Sequence, residues 1–247
     1  MDHQINQLKD YLERTKFTTS SPIIVFSGAG MSAESGIDTF RAKGGLWEQH
    51  SIDEVATPEA WQRNPRKVLD FYNMRRKQLL QVKPNEAHQI IARLEADYKV
   101  KVITQNIDDL HERAGSTEVL HLHGELRKSR STADESLVYS IEGADLNWGD
   151  LCEKGAQLRP HVVWFGEMVP AMDEAIPLVR NCALLIVIGS SLQVCPAAAL
   201  LQMVEEEAAV VVIDPGEPNY SPADNVFHLP LKAIEGMRLL SNLIKSF

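Results

Sequence analysis

Apolar positions along the chain fall into two patterns. Runs that are apolar at successive positions, in "SPIIVFSGAG", "YKVKVITQNID", "TEVLHLHG", "ALLIVIGSS" and "AAVVVID", predict strands, with a further short strand near "NVFHL". Helical spacing appears at Ile5, Leu8 and Leu12, and over residues 58–82, where Pro65 marks a helix start and Val68, Leu69, Tyr72, Leu79 and Leu80 give the apolar side. "PNEAHQIIARLEAD" predicts a helix with Asn85 as N-cap, and "DDLHERAG" a short helix closed by Gly115. Further helices are predicted at 171–181, from Pro196, and at the C-terminus. Strands buried on both faces and alternating with helices predict a parallel sheet covered on both sides, the α/β class. Two segments interrupt the alternation, 41–83 as helix and 125–159 as a polar stretch. Together they predict a small lobe made of two insertions, leaving 1–40, 84–124 and 160–247 as the main domain.

The polar positions then narrow the chemistry. The 247 residues carry a net charge of −9, which argues against binding nucleic acid, since a phosphate backbone needs a basic face. No apolar run is long enough to span a bilayer, and the polar amphipathic start is no signal peptide. Three scattered cysteines give no disulfide framework and fit a reducing compartment, so a cytoplasmic location is expected.

"GAGMSA" follows a predicted strand and opens a helix. Gly28, Gly30 and Ala33 fit the dinucleotide-binding pattern, whose glycines allow a tight turn and close approach of a pyrophosphate. The acidic strand end expected about 20 residues on is missing. A Rossmann-like sheet here must carry an insertion after its first glycine turn. "TQNID" brings Gln105, Asn106 and Asp108 to a second strand end, "GSSL" begins a third turn, and Asp214 ends a further strand. In an open parallel sheet ligands lie beyond such ends. His121 and His123 alternate, so they are expected on opposite strand faces, with His123 at the end where a base could reach a ligand.

"GAGMSAESGIDTFR", "TQNIDDLHERAG", "LHLHG", "RPHVVWFGE" and "GSSLQVCPAA", in this order and spacing, resemble the sirtuin family of NAD-dependent protein lysine deacylases. The resemblance implies a Rossmann-like parallel sheet with helices on both faces, plus a small domain built from two insertions. It implies NAD as cofactor and acylated lysine proteins as substrates, with nicotinamide and O-acyl-ADP-ribose as products. Gly28, Ala29, Gly30 and Glu34 would surround the pyrophosphate. Phe40 and Arg41 would belong to a flexible cofactor loop, with Trp47 among the cofactor contacts. Gln105, Asn106, Ile107 and Asp108 would hold the nicotinamide ribose and amide. Gly189, Ser190, Ser191, Asp214, Pro215, Gly216 and Ala233 would bind the adenosine half. His123 would act as base on a ribose hydroxyl, with Asn106 beside it. Val163, Trp164, Phe165, Gly166 and Glu167 would pair with the substrate backbone as an added strand.

Tyr72 and Arg75 stand three residues apart on one helix face and could grip a carboxylate. On spacing alone, an aromatic core residue beside a solvated arginine is the favoured reading. Sirtuins that remove succinyl and malonyl groups carry Tyr-x-x-Arg here, with an alanine, matched by Ala56, that widens the acyl pocket. The resemblance therefore implies a negatively charged acyl group, with acetyl-lysine also accepted. Most relatives fasten the small domain with two CxxC pairs around zinc. Here the matching positions hold Ser131 and Asp134, and only Cys152 remains, too few thiolates for a tetrahedral site. No structural zinc or other metal is expected. Leu137, Val138, Tyr139, Ile141, Leu146, Trp148 and Leu151 would pack the lobe instead, while Cys182 and Cys195 would be buried small residues. The same cofactor site would also serve a protein mono-ADP-ribosyltransferase or a non-catalytic NAD-binding module. A monomer is compatible with the sequence, which leaves the oligomeric state open.

Overall fold

The computed structural model describes residues 2–39 and 50–247; the positions expected for Phe40, Arg41 and Trp47 lie outside the described residues. The strands in chain order are β1 (Pro22–Ser27), β2 (Lys99–Thr104), β3 (Val119–His121), β4 (Gly124–Ser131), β5 (Val138–Ser140), β6 (Leu158–Val162), β7 (Leu184–Ile188), β8 (Ala209–Ile213) and β9 (Val226–Leu229). Six of them form a sheet in the order β3-β2-β1-β7-β8-β9, parallel throughout. The chain therefore builds outward from β1 to β3, returns to β7, and builds outward the other way. The reversal opens a crevice between β1 and β7, the place where such sheets bind ligands.

Alternate residues of β1 face opposite cores. Ile23 and Val25 pack with Leu8 and Leu12 of α1 (Asp2–Arg14), Ile91 of a helix at Glu86–Leu94, and Met237 and Leu240 of the C-terminal helix (Ala233–Ile244). Ile24 and Phe26 pack with Ala175 and Val179 of a helix at Met172–Arg180 and with Leu200. Asn85 caps its helix as expected, its side chain accepting from the Ala87 and His88 N–H groups. The segment from Pro196 is a 3-10 turn at Ala197–Met203 rather than an α-helix.

Two glycine turns meet at the crevice. The Gly28 N–H donates to Ile188 O at 3.0 Å and the Gly30 N–H to Gly189 O at 2.9 Å. Gly189 has φ +61°, and a Cβ there would stand 2.1 Å from Met31 N. A Cβ on Gly28 would meet Gly189 O at 2.6 Å. These glycines are needed first to let one backbone turn rest on the other.

The small lobe starts its long helix at Pro65, as expected, and departs from the sequence expectation in its polar stretch. Residues 58–82 are two helices, Pro58–Arg63 and Pro65–Gln81, because Asn64 precedes proline and leaves the helical region. Its side chain then caps the second helix through Lys67 N–H at 3.1 Å. The polar stretch after His123 contains an antiparallel sheet, β5-β4-β6, with Arg130 opposite Val138 and Arg159. Leu126, Ile141 and Leu146 are buried, but Val138, Trp148 and Leu151, expected inside, are exposed, and so is Leu80 on the long helix.

Polar side chains do the fastening. On the helix Pro65–Gln81, Arg76 is fully buried and donates from Nε to Leu126 O at 2.7 Å and from Nη1 to Ala144 O at 2.7 Å and Asn73 Oδ1 at 2.8 Å. Asn73 in turn donates to Leu146 O and accepts from Leu146 N–H, both at 3.0 Å. One helix thus holds β4 and the loop after β5. Arg76→Ala strands the buried Leu126 carbonyl and the half-buried Ala144 carbonyl and is expected to lower stability by about 3 kcal/mol, given roughly 1–3 kcal/mol per unsatisfied buried group. Chemical denaturation measures this, and a change below about 1 kcal/mol would show the lobe to be held otherwise.

Candidate active site

The crevice is a cleft of about 920 Å³, within the usual size range for cofactor sites. Of the residues singled out in sequence, Gly28, Ala29, Gly30, Glu34, Gln105, Asn106, Ile107, His123, Gly189, Ser190, Ser191, Asp214, Pro215, Gly216 and Ala233 line it. So do Ala56, Tyr72, Arg75 and the stretch Val163 to Glu167. Asp108 lies behind this wall, in a small adjoining recess shared with Ile107, Asn106 and Arg75. Thr39, Val194 and Lys232 also line the cleft and were not anticipated. Each had a signal in its neighbours: Thr39 and Val194 lie within the quoted motifs, and Lys232 stands next to Ala233.

β3 ends at His121, earlier than its sequence suggests, and Leu122–His123 forms a turn into β4. The two histidines are consequently anchored on one loop. The His123 ring faces Gln105 O through Nδ1 at 3.0 Å, and the His121 ring faces Asn106 O through Nδ1 at 3.0 Å. A carbonyl only accepts, so each Nδ1 carries a proton. For His123 this leaves the Nε2 lone pair available as a base. Burial depresses its pKa, so the ring is neutral at neutral pH. His121 differs because its Nε2 lies 2.6 Å from Glu112 Oε1. Burial alone would lower its pKa, but the hydrogen bond and charge of Glu112 outweigh this and raise it.

Behind the cleft, Asn106 Nδ2 donates to Gly28 O at 3.0 Å and to Ser32 Oγ at 3.2 Å, and Ser32 Oγ donates to Asp108 Oδ2 at 2.9 Å. Burial holds the Asp108 pKa above the usual carboxylate value. The Ser190 hydroxyl donates to Gln105 Oε1 at 2.9 Å, tying the β7 turn to the β2 turn. Glu34 accepts from Ile234 N–H at 3.0 Å, so its carboxylate caps the C-terminal helix. Asp214 accepts from Gly216 N–H at 2.8 Å and shapes its own Asp-Pro-Gly turn.

At the other end of the cleft, Tyr72 and Arg75 are both buried, which removes the reading of a solvated arginine. Burial pushes the Tyr72 phenol up to about 12. Phe165 N–H donates to Ala56 O at 3.0 Å and Val163 N–H to His123 O at 2.9 Å, so one segment joins the Ala56 end of the cleft to His123.

The Sir2 family profile matches residues 28–196, most of the chain. The chain belongs to the Sir2 family. An NAD-dependent protein deacylase of Helicobacter pylori strain J99 is 54% identical over 224 residues, covering 90% of this chain and 95% of that protein. A crystal structure of a Sir2 homologue in complex with NAD is 38% identical with a TM-score of 0.84, covering 100% of this chain and 94% of that one. A Sir2–p53 peptide–NAD complex is 32% identical with a TM-score of 0.77, covering 95% and 97%.

The lobe residues do not suit a structural zinc. Ser131 Oγ lies 3.2 Å from Cys152 Sγ and accepts from the Ala133 and Asp134 N–H groups. Lys154 Nζ donates to Asp134 Oδ2 at 2.6 Å. One thiol, one hydroxyl and a carboxylate already paired with an ammonium do not make a tetrahedral zinc set. EDTA-washed, tag-free protein is expected to contain far less than one zinc per chain; stoichiometric zinc would overturn this. Cys182 is buried, its thiol pushed up to about 12, whereas Cys195, expected inside, is exposed at the cleft rim.

Proposed function

We propose that this NAD-dependent protein deacylase of the Sir2 family acts best on lysines whose acyl group ends in a carboxylate, succinyl and malonyl above all, and also removes acetyl. The observation that carries the preference is the buried Tyr72–Arg75 pair lining the cleft beside Ala56. A planar guanidinium matches a carboxylate in bidentate fashion, and the phenol beside it offers a further donor.

The cleft fits NAD by size, by its position at the sheet reversal, and by its convergent polar strand ends. NAD, when bound, supplies the ribose carbon that takes the acyl oxygen and the nicotinamide that leaves. The chain's own residues do the rest. Gln105 and Asn106 form a fixed wall for the nicotinamide ribose and amide, braced through Ser190 and Ser32, with Asp108 behind it. Nε2 of His123 takes the proton of a ribose hydroxyl. Val163 to Gly166 and the turn after Gly189 flank the place of a substrate strand, which would pair through main-chain groups other than the Val163, Trp164 and Phe165 N–H groups, these being bonded within the chain. Asp214 to Gly216 and Ala233 frame the adenosine half.

Cytoplasmic protein substrates accord with three unpaired thiols and with the lack, among the described residues, of any helix long and apolar enough to cross a membrane. The test is a panel of matched succinyl-, malonyl-, glutaryl- and acetyl-lysine peptides with labelled NAD. Label should appear in O-acyl-ADP-ribose and be produced most rapidly from acidic acyl groups. Label on protein would mark a mono-ADP-ribosyltransferase instead.

A further inference from the structure

Trp164 lies in the stretch matched to substrate backbone, yet its side chain points to a different task. Its indole Nε1–H donates to the Tyr72 hydroxyl oxygen at 3.0 Å, with both residues buried. An indole N–H can only donate, so the phenol oxygen must accept here. Its single O–H is thereby directed elsewhere and remains a donor. Donation polarises the phenol and strengthens the bond its own proton can make.

The indole is itself held. The Arg159 guanidinium lies 3.3 Å from the Trp164 ring centroid. Its Nη1 and Nη2 donate to Glu167 at 2.6 and 3.1 Å, and Nη2 also donates to Val162 O at 3.0 Å. Glu167 accepts from the Trp164 N–H at 2.7 Å, while Arg130 approaches the same carboxylate at 3.4 Å. Ring and backbone of Trp164 are thus fixed by one Arg159–Glu167 couple. Arg159 belongs to β6, so the brace runs from the small lobe to the acyl pocket.

We propose that Trp164, fixed by Arg159 and Glu167, is a specificity-determining residue that orients the Tyr72 hydroxyl as a donor to the carboxylate of an acidic acyl group. The inference rests on the Tyr72–Arg75 reading above. Arg159 and Glu167 are positioning residues in it: they act through Trp164. An acetyl group has no acceptor at that place, so the brace should act on selectivity.

The experiment measures the ratio of kcat/KM for succinyl- and acetyl-lysine peptides. Trp164→Phe keeps a ring and removes the N–H; the ratio should fall about tenfold, as for one hydrogen bond to a charged group. Tyr72→Phe should cause a similar fall, and the double variant should fall no further than Tyr72→Phe alone, because the two act on one bond. Arg159→Lys keeps the charge but loses the planar stacked fork, and should lower the ratio severalfold. This second variant serves where Trp164→Phe does not fold. An unchanged ratio in the folded variants, or additive effects in the double variant, would overturn the brace. Arg75→Met is run alongside. If it lowers the ratio while the brace variants do not, the brace alone fails; if it does not, the carboxylate reading fails with it.

Discussion

Arg75→Met is expected to cut kcat/KM for a succinyl-lysine peptide about 100-fold more than for the matching acetyl-lysine peptide. Hydrogen bonds to charged groups contribute about 1.5–3 kcal/mol each, and a guanidinium can make two with one carboxylate. Losing most of that bidentate contact corresponds to roughly two powers of ten. Methionine keeps an unbranched apolar stem in a site where Arg75 is buried, so the packing around Tyr72 and Phe71 changes little. The pocket would then hold a carboxylate against a neutral wall, and the desolvation cost would fall on the acidic substrate alone. Equal loss of both activities would sink the clamp.

The second large effect is at His123. His123→Ala should reduce deacylated product by 10²- to 10⁴-fold, the usual contribution of a positioned general base. The wild-type rate should rise with pH, since only neutral Nε2 can take a proton. Because burial lowers the His123 pKa, the rise should be half complete below the ordinary histidine value of about 6.5. A variant within tenfold of wild type would place the base elsewhere. The neighbouring His121 works in the opposite sense. Its raised pKa makes the Glu112 pair stabilising at full strength below about 6.5, and that contribution fades as pH climbs through the raised value.

The main sheet was legible because its central strands are buried on both faces. Ile23 to Phe26, Leu184 to Ile188 and Ala209 to Ile213 read as unbroken apolar runs, and only strands of a covered parallel sheet need that. The glycine turns and polar strand ends were legible for a related reason: they close those runs. β4 was not, because the residues it buries include Ser129, Arg130 and Ser131, which carry no apolar signal. Its burial depends on partners far along the chain, such as Glu167, and local pattern cannot report them. The same holds for the contact between Trp164 and Tyr72, 92 residues apart. The exposure of Trp148 and Leu151 shows the converse, apolar residues counted as core where polar bonds already hold the lobe. The helix start at Pro65 was legible, since a proline disfavours helix in the residue before it.

Tyr72 and Arg75 face the acyl end of the cleft, while Asn73 and Arg76, each one residue further on, hold the lobe. A step of one residue turns about 100° around a helix. Two jobs are therefore written on one rod at a fixed angular offset. Sliding or rotating that rod to suit a longer or shorter acyl chain would pull the lobe out of register at once. Selectivity in this architecture can drift by exchanging side chains at 72 and 75, and hardly at all by moving the backbone that carries them.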